Sequence, residues 1–188
     1  MEAIFSYQIA GADDERHGRS ERAIALYRKA LRIDTTNAET RRLLGQALMR
    51  AGRTADFAEA ERHLTLAWQF GGGKDAALAE QVGRLALEQR RFDEAVEPLR
   101  TAAALNGGDP ETRLLLTQAL LSANRVAEAD RELQDLVRRH PQVAEAWARL
   151  GMIAEFEGRY PEAVTYFTRA VQADPKHALA NNALQRLR

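Results

Sequence analysis

Residues 144–177 read AEAWARLGMIAEFEGRYPEAVTYFTRAVQADPKH, and the placing of their apolar residues decides the fold. Trp147, Leu150, Ile153 and Ala154 recur at offsets of three and four. Past Gly158, the residues Ala163, Val164, Phe167, Ala170 and Val171 do the same. Such spacing gathers each set on one face of an α-helix, so the stretch predicts two amphipathic helices joined by a short turn. Pro161 suits the first turn of the second helix, where its missing N–H has no partner to lose. Asp174-Pro175 closes that helix, because the residue before a proline avoids helical backbone. Gly151 and Ala163 are small where the two helices are expected to cross.

The same order returns along the whole chain. Gly11, Gly45, Gly83, Thr117 and Gly151 are spaced by 34, 38, 34 and 34 residues, and alanine follows each at Ala23, Ala60, Ala95, Ala129 and Ala163. A fixed period near 34 marks a stack of helix pairs in place of one globular core. The expected fold is all-α, a right-handed α-solenoid of stacked antiparallel helix pairs forming a single domain over residues 1–188. Its frames are residues 4–37, 38–75, 76–109, 110–143 and 144–177. Residues 178–188 begin a sixth first helix that caps the stack, with Leu184 turned inward and Asn181, Asn182, Gln185, Arg186 and Arg188 towards water. At the other end no separate polar cap precedes Ile4, which leaves open whether the chain begins there or is a repeat domain cut from a longer protein.

Turn residues agree with these frames. Gly18, Gly52, Asn124 and Gly158 can take the positive φ that ends a first helix, and His140-Pro141 closes a second one. Thr54, Ala55 and Asp56 are extra residues and predict a longer turn in the second frame, with Thr54 or Asp56 capping the helix that follows. The fourth copy departs most, with Thr117 for glycine and Leu136 for alanine. Trp68 and Trp147 fall at core positions, and Phe57, Phe92 and Tyr160 open second helices, where they are expected to wedge each turn against its neighbour.

With tryptophan at the fourth place, Leu-Gly at seven and eight, alanine at twenty, phenylalanine at twenty-four, alanine at twenty-seven and proline at thirty-two, residues 144–177 resemble the tetratricopeptide repeat (TPR). The likeness extends over nearly the whole chain. It implies a concave face lined by first-helix positions two, five, nine, twelve and thirteen, where partner peptides lie. Transferred to this sequence, the lining includes Arg42, Gln46, Met49, Arg50 and Arg84, a polar and basic half. An apolar strip follows, with Leu87, Leu114, Leu121, Met152 and Phe156 beside Gln118. The implied partner is a peptide or helical segment of another protein, bringing apolar side chains to the strip and an acidic residue to Arg42, Arg50 or Arg84. The lysine and asparagine set by which TPR co-chaperones hold an acidic chaperone tail is absent from every three successive repeats here.

Composition narrows the partners further. The 188 residues are 45% hydrophobic and 29% charged, with 27 Lys+Arg against 27 Asp+Glu. Zero formal net charge removes the bulk attraction that nucleic-acid and membrane-surface binders carry. Without cysteine there is no disulfide, thiolate metal site or thiol nucleophile. No apolar run approaches the roughly 18 residues of a membrane-spanning helix, and Met1 to Ala10 lacks the pattern of a signal peptide. As written the chain is expected in the cytoplasm, or in the periplasm if it is a fragment lacking its signal.

Candidate chemistry is sparse. Gly71-Gly72-Gly73-Lys74 lacks the following Ser/Thr and the preceding strand of a phosphate loop, and falls where one repeat hands over to the next, as Asn106-Gly107-Gly108-Asp109 does. His17, His63, His140 and His177 share no metal-ligand spacing, so neither metal nor cofactor is expected and the chain reads as a non-enzyme. Arginine opens every turn inside a repeat: Arg19, Arg53, Arg91, Arg125 and Arg159. A cation past a helix C-terminus is favoured by the helix dipole; the alternative is a basic ribbon, which Asp56, Asp93, Glu128 and Glu162 would neutralise. The expectation is a noncatalytic adaptor or scaffold. Ala- and Arg-rich usage looks bacterial, and the resemblance implies, by analogy with similar arrays, envelope, pilus, secretion or polysaccharide assembly. Self-association and a regulatory domain excised from a larger protein are the alternatives.

Overall fold

The computed structural model describes residues 1–187, apart from the side chain of Thr54. Among the described residues there are eleven α-helices, one 3-10 turn and no strand. The chain divides into two compact units, Met1–Leu85 and Ala86–Arg188. Unit 1 holds α1 (Glu2–Arg16), α2 (Ser20–Ile33), α3 (Ala38–Ala51), α4 (Phe57–Phe70) and all but the last turn of α5 (Ala76–Glu88). Unit 2 holds that last turn, α6 (Phe92–Leu105), α7 (Pro110–Ser122), α8 (Val126–Arg139), α9 (Ala144–Phe156), α10 (Tyr160–Ala173) and α11 (Ala178–Arg186).

Each unit buries the apolar faces of successive helices against one another. In unit 1, Ala23, Ile24, Tyr27 and Leu31 of α2 meet Leu44, Ala47 and Leu48 of α3 and Ala60 of α4. A second cluster joins Leu64 and Ala67 of α4 to Leu78, Val82 and Leu85 of α5. In unit 2, Ala95, Val96 and Leu99 of α6 pack on Leu116, Ala119 and Leu120 of α7, and Leu133, Leu136 and Val137 of α8 pack on Ala146, Leu150 and Ile153 of α9. The last cluster sets Ala163, Phe167 and Ala170 of α10 against Ala180 and Ala183 of α11.

Four of the five turns inside the helix pairs share one hydrogen-bond pattern. The backbone N–H groups of Arg19, Arg91, Arg125 and Arg159 donate at 2.8 Å to carbonyls five residues back, those of Asp14, Ala86, Leu120 and Ala154. The residue before each arginine is left-handed: Gly18 (φ 72°), Arg90 (59°), Asn124 (60°) and Gly158 (74°). This is the six-to-one closure that satisfies the last carbonyls of a helix. The sequence marks Gly18, Asn124 and Gly158 for this role but gives no sign of Arg90. Gly52 (φ 68°) ends α3, and Thr54–Asp56 form a separate 3-10 turn, so the extra residues do lengthen the turn.

The first helices are capped from a place the sequence reading passed over, the last residue of each frame. Asn37, Asp75, Asp109 and His177 accept the backbone N–H three residues on, from Thr40 (2.9 Å), Leu78 (3.0 Å), Thr112 (2.9 Å) and Ala180 (3.3 Å). Val143 holds the same place before α9 and makes no such bond. The expected cap at Asp56 is not formed. Its carboxylate instead accepts from Arg53 Nε at 2.6 Å, and the Thr54 side chain lies outside the described residues.

Other packing details correct the sequence reading. In the first, second and fifth copies the first-helix glycine faces the large residue at place twenty-four of its frame. A Cβ on Gly151 would lie 2.6 Å from the Phe167 ring, one on Gly11 2.5 Å from Tyr27, and one on Gly45 2.7 Å from Leu64. Thr117, fully buried at that place in α7, accepts from Arg149 Nη1 at 2.9 Å and donates to the Leu114 carbonyl at 2.9 Å. Phe57 and Tyr160 are exposed and do not wedge their turns. The tryptophans are half-buried: Trp68 packs on the Leu64 cluster, and Trp147 stacks on Tyr166 while donating to the Pro141 carbonyl at 2.8 Å. Asn181 does not face water freely, since its amide donates to the Pro175 and His177 carbonyls. Arg188 lies outside the described residues.

Candidate protein-binding faces

In unit 1 the expected lining comes from α3 and α5, and its three arginines are each held by a glutamate of the same unit. Arg42 grips Glu39 through Nη2 (2.5 Å) and Nε (2.9 Å) and donates to Gln46 Oε1 at 3.1 Å. Arg50 of α3 reaches Glu15 of α1 at 2.6 Å, and the other oxygen of Glu15 accepts from Tyr27 Oη at 3.0 Å. Burial, reinforced by that carboxylate, pushes the Tyr27 phenol well above its ordinary range. Arg84 pairs with Glu80 at 2.9 Å. Met49 is half-buried on both clusters of the unit. The basic half inferred from side-chain types is therefore a set of neutral pairs, and an incoming carboxylate must compete with Glu39, Glu15 or Glu80.

Unit 2 carries the apolar strip, in two kinds of exposure. Leu87, Leu114 and Leu121 are half-buried against the unit's clusters, Leu121 on two of them, while Gln118 is exposed. Met152 and Phe156 project much further, at 47% and 86% of full exposure. They line a cleft of about 550 Å³ with Phe167 of α10 and Leu179, Asn182, Ala183 and Arg186 of α11. Leu179 is itself 41% exposed. Arg186 Nη2 holds both oxygens of Glu155, at 2.7 and 2.9 Å, and so fastens α11 to α9 beside the cleft. The sequence reading stopped its lining positions at the fifth frame. Counting places two, five and nine onward from Ala178 picks out Leu179, Asn182 and Arg186, so the signal for these residues was present.

The arginines that open the turns are neutralised locally. Arg53, Arg91, Arg125 and Arg159 pair with the acid three residues on, at Asp56 (2.6 Å), Glu94 (3.1 Å), Glu128 (2.7 Å) and Glu162. Arg19 turns back to Asp14 at 2.5 Å. Glu94, and not Asp93, is the partner in the third copy. Arg91, Arg125 and Arg159 thus close one helix with their backbone and meet the first turn of the next with their side chains, and with Arg19 and Arg53 also paired to acids the five leave no basic ribbon.

The histidines also find local partners. His63, 6% exposed on α4, receives Arg41 Nη1 at 3.1 Å on Nδ1, and Glu59 stands 3.7 Å from its Nε2. Arg41 also donates to the Thr35 carbonyl at 2.8 Å and lies over the Phe70 ring. Burial first, then the Arg41 charge, hold His63 below the usual histidine value against the opposing pull of Glu59. His177 caps α11 and meets Glu145 at 3.2 Å. Among the described residues no three or more His, Asp or Glu side chains are grouped to hold a metal ion, and no helix is long and apolar enough to cross a membrane.

Helix hairpins in series, with first-helix faces left partly uncovered, define an all-α solenoid of the kind that serves as a protein-binding scaffold. The chain belongs to the tetratricopeptide repeat family. The family described as tetratricopeptide repeat matches residues 81–129 and 114–178, over half the chain, and a further TPR repeat family matches residues 17–52. Among solved structures, YrrB, a TPR protein with an unusual peptide-binding site, superposes with a TM-score of 0.75 at 22% identity, covering 95% of this chain and 90% of that one. MamA superposes with a TM-score of 0.68 at 25% identity, covering 94% of each chain. The human protein O-mannosyl-transferase TMTC1 is 26% identical over 177 residues; these are 90% of this chain but 19% of that protein.

Proposed function

We propose that this chain is a noncatalytic adaptor or assembly scaffold that binds a peptide or helical segment of another protein on the concave side of its first helices. The observation that carries the reading is the cleft of unit 2, where Met152, Phe156 and Leu179 stand exposed together. Separate exposed apolar residues are ordinary, but three around one cleft describe a place to be covered. A partner that buries Phe156 gains contact area without ordering its backbone, because α9 already fixes it. The peptide-binding site named for YrrB supports the same use of the fold. The frames 4–37, 38–75, 76–109, 110–143 and 144–177, with a cap over 178–188, form our reading of the repeat units. A bacterial envelope, pilus, secretion or polysaccharide assembly system is the setting we favour by analogy with similar repeat arrays, with the chain as written in the cytoplasm.

Capture from a lysate of the native organism tests the proposal, comparing wild type with Met152→Glu plus Phe156→Ser. A protein held by the wild type and lost by the folded variant supports it, and equal capture by both overturns it. Leu121 is unsuited to the test, since its burial on two clusters makes a charge there a folding defect. Self-association is the second reading, favoured by Phe5 and Ile9, which stand exposed four residues apart on one face of α1, and by Met1, exposed just before it. A sedimentation mass that rises with concentration, and falls to that of a monomer in Phe5→Ser plus Ile9→Ser, selects it.

A further inference from the structure

The caps that open the first helices are not chemically alike. Asn37, Asp75 and Asp109 accept the helix N–H on side-chain oxygens, and amide and carboxylate oxygens keep accepting throughout the neutral pH range. His177 does the same for α11 on a ring nitrogen, Nδ1, which accepts the Ala180 N–H at 3.3 Å. Imidazole is the side chain that gives up a lone pair to a proton within that range.

The second ring nitrogen agrees with this tautomer. With Nδ1 accepting, Nε2 carries the hydrogen and donates to Glu145 Oε2 of α9 at 3.2 Å. Arg149 of the same helix steadies Glu145, its Nε donating to the other oxygen at 2.7 Å. Of the charges on the neighbouring elements, Asp174 at the end of α10 accepts the Lys176 backbone N–H at 2.9 Å, Lys176 is exposed, and Arg186 is held by Glu155 at the far end of α11. The His177 side chain is only 14% exposed, so little water reaches it to replace a lost cap.

A proton on Nδ1 removes the acceptor and sets a positive charge at the N-terminus of α11, where the helix dipole opposes it. Glu145 accepts from the Nε2–H in both states, so it retains the ring but cannot restore the cap. The first turn of α11 carries Leu179, which stands exposed in the apolar cleft with Met152 and Phe156. We propose that His177 is a pH-sensitive latch on this cleft, closed while Nδ1 caps α11 and open once Nδ1 is protonated, so that acidification loosens the wall that Leu179 provides. As regulation this rests on the reading of the cleft as a binding site, but the latch itself needs no partner.

The test is amide exchange and imidazole titration by NMR on the isotope-labelled full chain, in wild type and in His177→Asn, which supplies the cap type found at Asn37 and cannot titrate. Between pH 7.5 and 5 the Ala180 N–H of the wild type should lose about fivefold in protection, corrected for the intrinsic rate, along the same curve as the His177 ring. In His177→Asn that protection should hold, as should that of the Thr112 N–H, capped by Asp109, in both proteins. The Leu179 methyl signals should follow the ring's curve in the wild type alone. A ring that takes no proton in this range, protection unchanged in the wild type, or protection lost equally in His177→Asn overturns the latch. Leu179 methyls that stay still while Ala180 responds overturn its link to the cleft. A cleft that captures no partner leaves all of these readings as they are, so the latch and the binding site fail separately.

Discussion

Gly151 of α9 lies directly beneath the ring of Phe167 of α10, so closely that a single added carbon would stand 2.6 Å from ring atom Cε1. Phe167 is fully buried, and neither helix can yield without disturbing the alanines packed around the ring. Gly151→Ala should therefore destabilise the protein by about 1–3 kcal/mol through overpacking. Gly151→Ala with Phe167→Leu should recover part of that loss. Urea denaturation of the two variants checks the pair, and an additive result would deny the contact.

Thr117 stands where the other first helices carry glycine, yet restoring glycine should harm the protein. Its hydroxyl ties Arg149 of α9 to the Leu114 carbonyl of α7, and Arg149 also donates to that carbonyl directly at 2.7 Å. Thr117→Gly loses the hydroxyl's bonds and adds a glycine inside a helix, for a combined cost of about 2 kcal/mol. Thermal unfolding at neutral pH reads the difference.

The caps at frame ends make a prediction of their own. Asp109→Ala removes the acceptor for the Thr112 N–H and hydroxyl, at a cost of about 1 kcal/mol. Asp109→Asn keeps an acceptor oxygen and should lose much less. Amide exchange in the first turn of α7 should quicken in the alanine variant alone.

His63 gives unit 1 a dependence on pH with a definite sign. Burial and Arg41 depress its folded value below the usual 6.5, so between those two values the unfolded chain binds the proton and the folded chain does not. Stability is complete above about pH 6.5, falls as the pH drops below it, and stops falling for this group once the folded value is passed. Melting temperatures of wild type and His63→Gln between pH 7.5 and 5 should differ in slope, with the glutamine variant shallower.

Phe156 separates binding from stability. Its ring is almost wholly exposed, so Phe156→Ala should alter stability by no more than about 0.5 kcal/mol while removing the largest apolar surface of the proposed cleft. Loss of a captured partner at an unchanged melting temperature is the expected outcome.

The sequence alone determined the helix pairs, because helical periodicity, the small residue in each first helix and the turn residues are local signals that recur in step. The apolar residue types from Leu87 to Phe156 at the expected lining places were equally legible in it. It could not tell which of those side chains are free. Arg50 reads as a free cation in one dimension, and its glutamate, Glu15 thirty-five residues away, arrives only when helices pack; Glu39 and Glu80 stand one turn from Arg42 and Arg84 in the same helix, so those two pairs were legible in the sequence. Leu87, Leu114 and Leu121 differ from Met152 and Phe156 in nothing the sequence displays; neighbouring helices cover the first three and leave the last two bare. The left-handed backbone of Arg90 is likewise invisible in a list of residues, because it accompanies the closure from the Arg91 N–H to the Ala86 carbonyl. Periodicity and the pairing of charges one helical turn apart are properties of the chain, whereas pairing between helices and exposure belong to the distances between its parts, and tertiary structure alone sets those.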